Sequence, residues 1–325
     1  MLKTLTLALA VLLPAAAAQA WEPQKPIEFV VTSGPGGGTD SFARAVQAII
    51  VKHKLVDRPI IVSNKGGGSG AEGFVYGKGA AGDPHKLVFG TNNEYLLPFV
   101  ANLPYTPEDL TPVAAMAMDE FVLWVNGESP YKSAAELLAA AKEKPLKFGG
   151  SQSKDVDQTL VTMVGEATGT RFTYIPFKSG NEAAVQLAGG HIAGNTNNPN
   201  ENRGQWQAGM VRPLCVFATQ RLPAGPKVSG DLGWADIPLC RDEGIAIDSY
   251  QMPRAVWLPG GVPAEATAFY TDLLRKVSET PEWQDYLAKS SQSGRFLTGG
   301  EWQAYIRAEQ DRVRAVYQKQ GWLAG

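Results

Sequence analysis

The sequence predicts an α/β protein built as two lobes, and three observations carry that expectation. Apolar strands alternate with amphipathic helices along most of the chain, the pattern of sheets flanked by helices. The 325 residues exceed one ordinary domain, and a hydrophobic fraction of 44% can fill two cores. Two apolar stretches, around 120–125 and 252–258, are placed to cross between lobes.

The elements follow in order. Residues 1–20, "MLKTLTLALAVLLPAAAAQA", carry one lysine, an apolar run and small Ala18 and Ala20 around Gln19, which predicts a signal peptide cleaved after Ala20. An exported chain follows, periplasmic in a bacterium. "PIEFVV" predicts a strand, and "DSFARAVQAII" a helix with Phe42, Val46, Ile49 and Ile50 on one face. "RPIIVSN", "GAEGFVYGKGA" and "HKLVFGT" give strand, helix and strand, and "TPVAAMA" and "EFVLWVN" are strand-like. "SAAELLAAAKEK" opens on a Ser133/Glu136 capping box and stops before Pro145.

Alternation then resumes: "LKFGG", "RFTYIPF" and "VRPLCVFAT" as strands, "VDQTLVTMVGEATG" and "NEAAVQLAGG" as helices. The C-terminal part is predicted mainly helical, from Pro263, from Pro281 after Thr280, and from Glu301 to Gln318. Lobe one is expected over 21–122 plus 250–325 and lobe two over 123–249, each a mostly parallel sheet flanked by helices.

Charge excludes some classes. The formal net charge of −2 and the absence of a basic run argue against nucleic acid. Three scattered histidines and two cysteines lack ligand spacing, so no metal and no cofactor are expected. Cys215 and Cys240 leave open a disulfide or two buried thiols. No histidine is suitably placed for "GGGSG" to act as a nucleophile elbow, and no carboxylate pair stands out, so no catalytic residue is assigned.

The informative positions are strand ends. "SGPGGGTD" turns a strand into a helix through glycines, where amide N–H groups and the positive helix end favour an anion. It lacks the lysine of a nucleotide P-loop. "GSGAEG", Gly68 to Gly73, fits G-x-G-x-x-G, but an exported chain makes it a second backbone-exposing turn instead of a dinucleotide site. "FGTNNEYL" presents Asn92, Asn93 and Glu94 at a strand's carboxyl end. "FGGSQSKDVD" repeats the glycine device with Ser151 and Ser153, "FKSGNEA" places Lys178 before a helix, and "GNTNNPNEN" holds five asparagines.

Together these stretches resemble the extracytoplasmic solute receptors of tripartite tricarboxylate transporters, the Bug family. "KPIEFVVTSGPGGGTDSFAR" is similar to their N-terminal signature, and "IIVSNKGGGSGAEGF", "FKSGNEAAVQLAGGHI" and "QAGMVRPLCVFAT" to later motifs. The resemblance covers essentially the whole mature chain. It implies a type II-like, Venus-flytrap periplasmic binding protein, a monomer that closes on a small di- or tricarboxylate and delivers it to membrane subunits. By matching positions, Ser33, Gly36, Gly37, Gly38, Thr39 and Asp40 would hold one carboxylate, faced by Ser151, Gln152, Ser153 and Asp155. Asn92, Asn93, Glu94, Lys178, Asn197 and Asn198 would surround the ligand's far end. Gln152, Lys154 and Asp155 depart from the family's serines and glycines, Asn197 from an aspartate and Ser33 from a phenylalanine. The rival expectation is an exported enzyme acting on the same acid.

Overall fold

The computed structural model describes residues 21–325, so the signal-peptide expectation for 1–20 lies outside the described residues. β1 (Ile27–Val31), α1 (Gly38–Lys52), β2 (Ile60–Asn64), α2 (Ala71–Gly79), β3 (Lys86–Gly90) and α3 (Asn93–Val100) alternate, with β1 parallel to both β2 and β3. β4 (Leu110–Glu120) then passes through Phe121 into β5 (Val122–Asn126), which belongs to a second sheet. That sheet is built by α4 (Ala134–Glu143), β6 (Leu146–Ser151), α5 (Val156–Thr168), β7 (Phe172–Phe177), α6 (Gly180–Ala188), β8 (Gly194–Asn195), α7 (Pro199–Gln207) and β9 (Val211–Val216). The chain returns through β10 (Gln251–Pro259), α8 (Ala264–Ser278), α9 (Pro281–Ser290), β11 (Ser293–Thr298) and α10 (Gly299–Gln320).

The strand orders are β11-β4-β10-β3-β1-β2 and β7-β6-β8-β5-β9. The fold is a two-lobed α/β architecture, but both sheets are mixed, not mostly parallel. β10 runs antiparallel to β3 and β4, β11 to β4, and β5 to β8 and β9. The crossings cause this: β4 leaves the first sheet at the end where β10 re-enters it.

Each sheet is buried on both faces. Phe29, Phe42, Phe89 and Trp283 fill one side of the first sheet, and Tyr95, Trp257 and Trp302 the other. In the second, Phe148, Leu160 and Tyr250 pack on one side and Trp124, Trp206 and Trp234 on the other. The α1 stripe Phe42, Val46, Ile49 and Ile50 is buried as its spacing predicts. A disulfide joins Cys215 of β9 to Cys240 in the irregular segment before β10. No described helix is long and apolar enough to cross a membrane.

Four elements lie where the sequence pattern predicts none. α3 starts inside the Asn-rich turn after β3, β8 lies inside "GNTNNPNEN" and α7 starts there, and β11 interrupts the C-terminal helices. α7 buries only Pro199, Asn202 and Trp206, too few apolar residues for a visible stripe.

Candidate functional site

The first wall is the loop from β1 to α1. Gly36 adopts φ 77°, a left-handed turn that favours glycine. Asp40, in the first turn of α1, accepts hydrogen bonds from Gly36 N at 2.9 Å, Arg44 Nε at 2.9 Å and Asn64 Nδ2 at 2.9 Å. Burial raises its carboxyl, but the bonds from Arg44, Gly36 and Asn64 outweigh burial and hold it below its usual range. Asp40 thus pins the loop from beneath.

The second wall begins where β6 ends. Gln152 and Lys154 hold left-handed φ values of 40° and 60°, uncommon for residues with side chains. Asp155 caps α5 by accepting from Val156 N at 2.7 Å. Asp157 accepts from Ser151 N at 2.6 Å and Ser151 Oγ at 2.8 Å. Gly150 must be glycine, because a β-carbon would lie 2.5 Å from Asp157 Cβ and 2.6 Å from Tyr174 Oη. On α7, Glu201 reaches back to accept from Asn198 N at 3.1 Å.

Between the walls lies a cleft of about 420 Å³, lined from both sheets, with β10 of the first sheet contributing Met252 and Arg254. The N-termini of α1, α5, α6 and α7 all border it, through Gly38, Val156, Gly180 and Asn198. α1 carries no side-chain cap, whereas Asp155, Ser179 and the Asn198–Glu201 pair cap α5, α6 and α7, and each helix adds the positive end of its dipole. β10 contributes Arg254, 6% exposed, whose Nη1 donates to Thr39 Oγ1 at 3.0 Å and whose Nη2 pairs with Asp119 of β4. Asp119 also accepts from Gln292 Nε2 at 2.5 Å. Burial, with Asp155 nearby, raises Asp157 to about 7, although Ser151 bonds oppose this. Burial and then the Asp157 charge raise Glu201 to about 8. Among the described residues, no group of three or more His, Cys, Asp or Glu is placed to hold a metal ion.

The cleft brings together Ser33, Gly37, Gly38, Thr39 and Asn93 on one side with Ser151, Gln152, Asp155, Lys178 and Asn198 on the other. Gly36 faces an adjoining chamber of about 350 Å³ that shares Gly37, Gly38, Glu201 and Arg254 with the first. Five expected residues do not line the cleft. Asp40 braces the loop, and Ser153 Oγ donates to Gln158 Oε1 at 3.3 Å. Asn92 and Glu94 are fully buried behind β3, where Asn92 Nδ2 donates to Glu309 Oε1 at 2.7 Å. Asn197 lies beneath the floor, its Nδ2 donating to Gly180 O at 2.6 Å and Asn202 Oδ1 at 2.8 Å. The strand-end argument places residues near a cleft but does not say which side chains of an emerging helix turn inward.

Sequence reasoning missed Asp157, Glu201 and Arg254. Arg254 did leave a signal, being the one charge in the apolar strand "MPRAVWLP". The two acids left none, since acids in a first helical turn are ordinary.

A two-lobed fold with an amide-lined cleft between its lobes defines a solute-binding receptor. The chain belongs to the tripartite tricarboxylate transporter receptor family: the family described as "Tripartite tricarboxylate transporter family receptor" matches residues 42–322. A Cupriavidus necator relative, "UPF0065 protein in gbd 5'region", is 26% identical over 306 residues, 92% of this chain and 88% of its own. A TctC solute binding protein from Polaromonas, solved without ligand, is 26% identical with a TM-score of 0.74, covering 91% of this chain and 99% of that one. An R. palustris protein solved with adipate shares the fold at 23% identity and a TM-score of 0.76, covering 92% of this chain and 98% of that one.

Proposed function

We propose that this receptor binds a small di- or tricarboxylate in the cleft and delivers it to the membrane subunits of a tripartite transporter. The observation carrying this reading is the convergence of four helix N-termini, one from the first sheet's helices and three from the second's, on one polar cleft. Residues 21–122 plus 250–325 act as one lobe and 123–249 as the other, in the periplasm after loss of residues 1–20, as a monomer. One carboxylate sits against the amides of Gly37 and Gly38, with Ser33 and Thr39 hydroxyls at its sides. Ser151, Gln152 and Asp155 face it, and Asn93, Lys178 and Asn198 meet the far end. Asp40, Asn92, Glu94, Ser153 and Asn197 act by holding these elements in place.

An exported enzyme using the same acid is the competing reading, and one experiment separates them. Calorimetry against citrate, tricarballylate, malate, adipate, terephthalate and glutamate should give saturable binding of at least one, and the ligand should be recovered unchanged. Turnover of a bound acid would overturn the receptor reading, and absence of binding across the panel would overturn the carboxylate reading.

A further inference from the structure

Arg254 is the unusual feature of the cleft. It is a cation buried to 6% exposure in a central strand, and it borders both chambers. Charged groups this buried persist only when paired, and its pairing is incomplete. A guanidinium carries five N–H donors. Nη1 reaches Thr39, Nη2 reaches Asp119, and Nε has no protein partner among the described residues. A β-carbon on Gly38 would lie 2.6 Å from Nη2, so the guanidinium and the anion loop meet at one point.

The position is fixed from behind. Asp119 is 1% exposed and divides its oxygens between Arg254 and Gln292. Asp119 and Arg254 stand on β4 and β10, the strands that lead into the two crossings. Around this one buried cation stand Asp119, Asp155, Asp157 and Glu201, and the other cations, Lys178 and Lys289, sit on exposed rims. Lys289 is already paired with Asp285 at 2.6 Å.

Resting on the carboxylate reading above, we infer that Arg254 is a specificity-determining residue that takes one ligand carboxylate, while Asp119 holds it in place and limits the negative charge the ligand can carry. Within that reading the receptor therefore favours a dicarboxylate over a tricarboxylate. A trianion entering this cleft would bring three charges to one buried cation that Asp119 already partly neutralises.

The test measures binding of butyrate, glutarate and tricarballylate, which bring one, two and three carboxylates, by calorimetry. The wild type should bind glutarate at least tenfold more tightly than tricarballylate. Asp119→Asn keeps an acceptor for Gln292 but removes the restraining charge, so affinity should rise, most for tricarballylate and by tenfold or more. A purely structural pair would give the opposite sign. Arg254→Lys should weaken glutarate at least tenfold, since an ammonium cannot serve Thr39, Asp119 and a planar carboxylate together. Arg254→Met leaves a buried acid unpaired, so the double variant Asp119→Asn/Arg254→Met tests loss of the cation in a neutral setting and should lose binding. Glutarate binding by the double variant at wild-type affinity, or a weaker Asp119→Asn, would overturn this inference alone. A wild type that binds no carboxylate would overturn the carboxylate reading and this inference with it.

Discussion

A carboxylate at position 197 would face two oxygens that the native amide satisfies, Gly180 O and Asn202 Oδ1. Asn197→Asp should therefore act on the fold and not on ligand charge. We expect a loss of about 1–3 kcal/mol in denaturant unfolding, the usual cost of a buried group without its partner. Unchanged stability with altered ligand preference would return Asn197 to the cleft.

Acidity at Glu201 makes a second, independent forecast. An acid raised from 4.5 to about 8 keeps its proton in the folded state where the unfolded chain has lost it. The native state then binds more protons, so stability falls as pH rises through that window. Asp157, raised to about 7, acts in the same direction. Melting temperature should decline between pH 5 and pH 8, and Glu201→Gln should flatten part of the decline; an equally steep slope in that variant would clear Glu201 of the effect. At this scale the sequence revealed the glycine loops, because glycine clusters have few other uses. It could not reveal Arg254 and Asp119 as partners, because only pairing of β4 with β10 brings them together.

The disulfide belongs to the scale of elements. It closes a loop of sequence separation 25 from Cys215 to Cys240, a stretch with little regular structure that leads back toward the crossing. Loop entropy alone gives about 3.5 kcal/mol for a closure of this size. Reduction, or Cys215→Ala with Cys240→Ala, should lower unfolding free energy by that order, and an unchanged denaturation midpoint would assign this segment's order to packing alone. Elements with an apolar stripe, such as α1, or a cap signature, such as α4 with Ser133 accepting from Glu136 N, were legible. α7 was not, because its start is set by Asn198 and Pro199 and its length by contacts with α6 and β9. β11 was hidden for the same reason: its strand character comes from lying beside β4.

Across the whole molecule, the mouth of the cleft is bridged by Ser69 Oγ donating to Gln152 Oε1. Elsewhere Arg203 Nη1 donates to Lys289 O at 3.0 Å, and Lys319 pairs with Glu166 at 3.0 Å. One solvent-facing hydrogen bond contributes about 1 kcal/mol. Ser69→Ala should thus speed ligand release several-fold in stopped-flow measurements while leaving the melting temperature in place. Equal release rates would mean that Ser69 and Gln152 do not latch the mouth.

The place of β10 bears on how the chain comes together. Gly90 pairs with Ala255, so β3 waits for this neighbour through about half of the sequence, and β4 waits nearly as long. Until Gln251–Pro259 has emerged, the first sheet is two fragments, each with a bare apolar edge. Contacts so distant along the chain close slowly, and exposed edges recruit other copies meanwhile. A nascent or clipped chain ending before Gln251 should accumulate as aggregate and not as a soluble half. The last quarter of the polypeptide therefore decides whether the first third is a domain or a hazard.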